Sequence, residues 1–290
     1  MARKHPIITN RGIVLNIRTN LFLGTREIGE KILNSLIRSG NVFTPSTFWI
    51  GQSTSQRQVR FDPENLSLPL EAWTDHRYSL GIIAERSEPL LVSLNVAASD
   101  YAMFDFLILR FSLSDREGKF NEDLAKLFVD SVGIQNLVRV SRNLYTIIGA
   151  NSGIIANDYH EHSLGEYFGK DGNLLGYNPP NVPHALSGLF WANFFGPEYV
   201  EALGRDRLIS APCHKIEELS DGGIIVFLSE SPLDASGKDY KVRKRELYDY
   251  LGEDAFTGRL MPKFRTGQGR KNRDARPLTQ TGGVRDDIFQ

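Results

Sequence analysis

Cysteine is nearly absent from this chain: Cys213 is the single one in 290 residues. An internal disulfide framework is therefore excluded, and the composition fits a reducing compartment. Long apolar runs are missing too. Nothing approaches the roughly 20 consecutive apolar residues that span a bilayer. The N-terminal MARKHPIITNRGIVLNIRTN also lacks the apolar stretch of roughly 7–15 residues found in a secretory signal. The expectation is a soluble, cytoplasmic protein with no membrane partner. Neither charge dominates, since 34 Lys and Arg stand against 35 Asp and Glu, so the chain as a whole is not built to bind polyanions. Nucleophile elbow, P-loop and Gly-x-Gly-x-x-Gly are all missing, and no repeat of roughly 20–50 residues is visible.

What is present is ordinary globular material, 41% hydrophobic, enough to bury a substantial core. GIVLNIR (12–18) alternates and carries β-formers, so it reads as a first strand. In REIGEKILNSLIRSG (26–40), Ile28, Ile32, Leu33, Leu36 and Ile37 recur at helical spacing, with Gly40 to end the helix. Phe43–Gly51 reads as an edge or irregular strand because of Pro45, and 52–77 as polar loop with a helical turn near Leu70–Trp73. Strands follow at 78–84, 90–99 and 105–114. NEDLAKLFVDSVG (121–133) is a helix capped by Asn121. VRVSRNLYTIIGA (138–150) is ambiguous between helix and strand. Asp221-Gly222-Gly223 marks a hairpin turn, and DYKVRKRELYDYLG (239–252) a charged helix.

This order neither alternates regularly nor segregates by halves. It predicts an α+β fold, mainly antiparallel sheet with helices packed on one face. Residues 1–258 form one domain, with 1–150 and 188–258 as two subdomains if the Gly-, Asn- and Pro-rich segment 151–187 is a long connecting loop. Residues 259–290 form a basic tail or arm, with eight Lys and Arg against three Asp.

Candidate chemistry is sparse. Asp158, His160 and His162 sit close together, and His-x-His on a strand places both rings on one side, which suits a metal. A solvated polar loop is the commoner meaning of such a cluster. Cys213 and His214 are adjacent, so on a strand they point to opposite faces and cannot act on each other. KFRTGQGRKNRDARP (263–277) interleaves one aromatic with six basic residues. That pattern would neutralise phosphates on a flexible arm, but the acidic balance of the rest weighs against a nucleic-acid partner.

The stretch GLFWANFFGPEYVEALGRDRLISAP (188–212) is the most distinctive. Pro197 suits the first position of a short helix, which ends at Gly204. Such a helix is too short to stand alone, so Phe190, Trp191, Phe194, Phe195 and Tyr199 are expected to pack it into a core together with Pro197. If 188–195 is itself helical, the rings share one side, and Asn193 among them needs hydrogen-bond partners. Gly188, Phe190-Trp191-Ala-Asn193, Phe195-Gly196-Pro197, Tyr199-Val200, Gly204-Arg205, Leu208 and Ser210-Ala-Pro212 together resemble bacterial immunity proteins of polymorphic-toxin systems, in the manner of the Immunity protein 52 group. The resemblance covers about 188–252. It implies a non-enzymatic protein that binds a cognate toxin, and it transfers no functional residues, because the matched positions are of core type. No cofactor is implied. The contact surface is expected in the irregular loop, with Tyr159, Tyr167, Phe168 and Tyr177 as aromatic anchors. Two other classes stand beside this one. One is a structural subunit that self-associates through 259–290, and the other a metal-dependent enzyme using Asp158, His160 and His162.

Overall fold

Because Ile13, Leu15 and Ile17 alternate along GIVLNIRT, the segment can bury an apolar side in a sheet, and it forms the central strand β1 (Gly12–Thr19). The computed structural model describes residues 11–50, 57–75, 81–86, 90–97, 105–115, 118–158, 167–168, 174–176, 186 and 188–257. β1 pairs with β6 (Asp105–Ser112) on one side and β7 (Ser152–Asn157) on the other. Beyond β6 lie β5 (Val92–Ala97), β4 (Gly81–Arg86), β2 (Thr47–Ile50) and β3 (Arg57–Arg60); beyond β7 lie β10 (Ala192–Phe195), β12 (Ile224–Phe227) and β11 (Lys215–Glu218). Every pairing in this ten-stranded sheet is antiparallel. β8 (Tyr167–Phe168) and β9 (Leu174–Gly176) form a separate two-stranded ladder. Both edge strands of the large sheet are charged, RQVR in β3 and KIEE in β11, which discourages pairing with another chain.

Four helices pack on the sheet's inner face. α1 (Arg26–Arg38) starts at Thr25, whose hydroxyl accepts the Ile28 N–H at 3.3 Å. Gly29 lets α2 (Ser67–Asp75) come close, since a Cβ there would meet the Trp73 ring at 2.7 Å. The Trp73 indole N–H donates to the Leu23 carbonyl at 2.7 Å. α3 (Glu122–Ser131) is capped by Asn121, as its sequence leads one to expect. α4 (Ile134–Ile147) settles the ambiguity of 138–150: Leu137, Val140, Ser141, Leu144 and Tyr145 are buried at spacings of three and one. Phe128 meets Phe111 edge-on at 5.4 Å between centroids, and Tyr145 stacks on Phe194 at 5.5 Å. Each such ring contributes roughly 1.5–3 kcal/mol by its burial.

The mixed α+β fold is present, yet the helices do not all share one face. α5 (Pro197–Leu203) lies on the outer face, where the Tyr199 and Ser152 hydroxyls hydrogen-bond. α6 (Arg205–Ile209) follows it directly. A 3-10 turn at Pro232–Ser236, α7 (Lys238–Leu251) and α8 (Asp254–Thr257) complete the chain described. Arg207 joins α6 to α7 by donating to the Tyr250 and Leu251 carbonyls at 2.7 and 3.1 Å.

Three expectations about local structure need correction. Residues 192–195 are strand rather than helix, so Phe194 and Phe195 point to opposite faces instead of one. The segment 151–187 is not loop from its start: Ser152–Asn157 is a central strand, and the one sheet includes strands from both 1–150 and 188–258. The stretch 52–77 carries β3 and all of α2.

Phe190, Trp191, Phe194, Phe195 and Tyr199 are buried, at 1–6% exposure, whereas Pro197 is exposed and serves only as the first residue of α5. A Cβ at Gly196 would run into the Asn151 carbonyl, so the Gly-Pro pair fixes the step from strand to helix. Asn193 has the partners its burial requires. Its amide donates to the Phe190 carbonyl at 2.8 Å and its oxygen accepts the Phe190 N–H at 2.9 Å.

Candidate functional site

Strand register divides the sheet residues into two sets. On the inner face Leu94, Leu109, Leu15, Ile155, Ala192 and Phe227 lie in one cross-strand row. On the outer face the equivalent row is Asn95, Ile108, Asn16, Ile154, Asn193 and Val226. The next outer row holds Phe106, Arg18, Ser152, Phe195 and Ile224. Where β10 runs beside α5, Phe195 is buried, and so are Val226 and Ile224 of the adjoining β12. Toward β6 and β5 the outer face becomes polar and half-buried, with Arg18, Phe106, Arg110, Ser93 and Asn95.

Two cations organise that polar region. The Arg18 guanidinium lies over the ring of its cross-strand neighbour Phe106, 5.5 Å from the centroid. The Arg110 Nη2 stands 3.5 Å from Asp158 Oδ2, the two side chains being 20% and 11% exposed. Burial lowers the pKa of the Arg110 guanidinium and the Asp158 carboxylate opposes that shift.

Between β1, β7 and α5 the outer face opens into a small cleft lined by Asn16, Arg18, Ser152, Asn193 and Tyr199, with Leu186 and Gly188 at its side. Burial raises the pKa of the Tyr199 phenol, with Arg18 and Ser152 working the other way. Asn16 is 9% exposed and its Oδ1 is buried without a hydrogen-bond partner. A wider groove of about 620 Å³ runs between α1 and α4, but its walls are surface side chains of both signs, such as Glu27, Lys31, Arg38 and Arg139.

Asp158 is placed as the ion-pair partner of Arg110, while His160 and His162 fall outside the described residues. Tyr159 and Tyr177 also fall outside them, and Tyr167 and Phe168 are described only as backbone in β8. The arm 259–290 lies outside them as well. Among the described residues no group of three or more His, Cys, Asp or Glu is arranged to hold a metal, and no helix is long and apolar enough to cross a membrane. The Cys213 thiol is half-buried and its pKa is raised by that burial, away from the thiolate a nucleophile needs. Sequence reasoning overlooked Asn16, Arg18 and Arg110. The signal was there in GIVLNIR, whose alternation sets Asn16 and Arg18 opposite Leu15 and Ile17.

No protein-family model matches the chain, and no curated protein matches it in sequence. Its fold does have a counterpart. The chain is similar in structure to the Pseudomonas aeruginosa T6SS protein PA0821, with a TM-score of 0.50 over 83% of this chain and 73% of that one, at 12% sequence identity. At that identity the likeness concerns the fold.

Proposed function

We propose that this is a non-enzymatic binding protein of interbacterial competition, an immunity protein that neutralises a cognate toxin by direct contact. The observation that carries the reading is the outer face of β1, β6 and β5. There an otherwise well-packed scaffold presents Arg18 over Phe106, Arg110 beside Asp158, and Ser93 and Asn95, all half-buried. Arginine and aromatic side chains on a rigid sheet make the kind of surface at which binding energy concentrates. β7 delivers the chain to Asp158, the residue before Tyr159, so the proposed aromatic anchors Tyr159, Tyr167, Phe168 and Tyr177 follow in sequence from the edge of this face.

Two further points support the setting. The residues that carry the immunity-type resemblance lie between Gly188 and α7, and the matched aromatics among them are buried. A protein of similar fold carries a T6SS name, in keeping with competition between bacteria. The test is co-expression with the product of the adjacent gene. Relief of that product's toxicity, with a stable complex on size-exclusion chromatography, is the expected result. Undiminished toxicity with no complex contradicts the reading.

A further inference from the structure

We infer that the cleft between β1, β7 and α5 receives a carboxylate, carried by an aspartate or glutamate side chain of the docking protein. Asn16 is 9% exposed and its Oδ1 is sealed off, so the accessible polar atom of that side chain is its Nδ2 donor. Among the described residues Nδ2 donates to nothing. Arg18, two residues along the same face, brings a positive charge that acts on the Tyr199 phenol. Tyr199 and Ser152 add two hydroxyls. Asn193, the other amide of the wall, is committed: its oxygen accepts the Phe190 N–H, and its nitrogen donates to the Phe190 and Val226 carbonyls. Glu198 is not a lining residue, and its carboxylate accepts from Asn151 Nδ2 at 3.3 Å.

The wall therefore offers an amide donor, a guanidinium and two hydroxyls, with no carboxylate among the lining residues. An ammonium group would meet donors and a like charge there. A neutral carbonyl would use the donors but not the charge. Size narrows the choice of anion. The cleft has about 30 Å³ free, where one water needs roughly 10–15 Å³, so two oxygens fit and the four of a phosphate or sulfate do not. A carboxylate supplies two oxygens and the charge that strengthens hydrogen bonds from a guanidinium. Because Arg18 also lies over Phe106 on the proposed contact face, a protein docked there brings its side chains to the mouth of the cleft. This source rests on the toxin-neutralising reading; the carboxylate site does not.

The probe is sodium acetate, titrated into the full-length ¹⁵N-labelled protein and followed by NMR, with acetamide and sodium chloride at equal concentration as controls. The Asn16 side-chain amide and the backbone amides of Ser152 and Gly188 should shift saturably, with a Kd on the order of 10 mM for a ligand of so few atoms. N16L and R18Q should each weaken binding about tenfold or more, N16L while keeping or raising the melting temperature, since each removes a matched partner. N16D should abolish it by setting the protein's own carboxylate in the site. No saturable acetate shift overturns the inference. So does an equal response to acetamide, an unchanged Kd in N16L, or an equal response to chloride, which marks an adventitious ion only.

A further arm tests the source. With the adjacent gene's product bound, acetate should no longer shift these amides, and N16D should weaken the complex about tenfold or more. A complex that leaves the acetate response intact overturns the partner side chain and assigns the site to a free small acid. No complex, with acetate still bound, refutes the toxin-neutralising reading and the partner source together, while upholding the carboxylate site.

Discussion

The two faces of β1 are one residue apart and do different work. Ile13, Leu15 and Ile17 point inward, each wholly buried, into rows completed by Phe111, Leu109 and Leu107 of β6. Val14, Asn16 and Arg18 point outward, and their β6 partners are Arg110, Ile108 and Phe106. The inner face under the helices is hydrocarbon in its middle rows, with the buried polar residues Thr19, Asp105 and Asn157 at its ends. The outer face mixes apolar, amide and guanidinium groups, and it includes a buried polar atom that no protein group satisfies. A packed inner face makes the sheet rigid. That rigidity allows an outer face to hold polar groups at costs a looser structure would relax away.

The largest effect expected from this contrast is on stability. L109A removes a fully buried side chain at the centre of the inner row and should cost about 2–5 kcal/mol in denaturant unfolding. S93A, on the neighbouring strand but outward, should stay within about 0.5 kcal/mol. Equal costs for the two would break the distinction between faces. N193A tests the outer face where α5 covers it. Losing the paired bonds to Phe190 should cost about 2 kcal/mol and loosen the 188–191 turn. Removing the Asp158 charge with D158N should cost about 1–2 kcal/mol, because the partly buried Arg110 guanidinium then loses its facing anion.

The pH dependence sharpens the same comparison. Burial raises the pKa of Tyr145 on the inner side, with Asp221 adding to the shift, and of Tyr199 on the outer side. A tyrosine with a raised folded-state pKa contributes stability that is fully present below about pH 10, the unfolded value, and is lost as pH climbs toward the folded value. Each should add up to about 1.4 kcal/mol per pH unit to the alkaline loss. Urea melts between pH 9 and pH 11 should therefore show a steep decline, shallower in Y145F and in Y199F. The Y145F change should be the larger, since Arg18 and Ser152 moderate Tyr199.

Much of the scaffold could be read from residue order. α1, α3 with its Asn121 cap, α7 and the β11–β12 hairpin all follow local rules of periodicity, capping and turn chemistry. What escaped was decided by distant partners. The ring cluster at 190–195 looks helical by spacing, yet β10 is buried on both faces between β7 and β12, which erases the alternation that marks a strand. β7 hid for a similar reason: SGIIAN is short and flanked by Asn and Gly.

The site was legible only in part. GIVLNIR shows that Asn16 and Arg18 share a face, but Asn16's missing partner depends on Ile108 and Ile154, which are far away in sequence. Cys213 and His214, conspicuous as residue types, bring no chemistry together. Arg110 and Asp158 meet across an unforeseen strand pairing.

The most direct test is calorimetric titration of the adjacent gene's product into two single-residue variants. N95R places a bulky cation on the outer face, while E30R does the same on the exposed side of α1. A Kd at least about tenfold weaker is expected for N95R and an unchanged one for E30R, with both variants folded, since a clash in a buried contact region costs more than one outside it. Unchanged affinity for N95R together with a loss for E30R would contradict it, and would move the working surface to the helices.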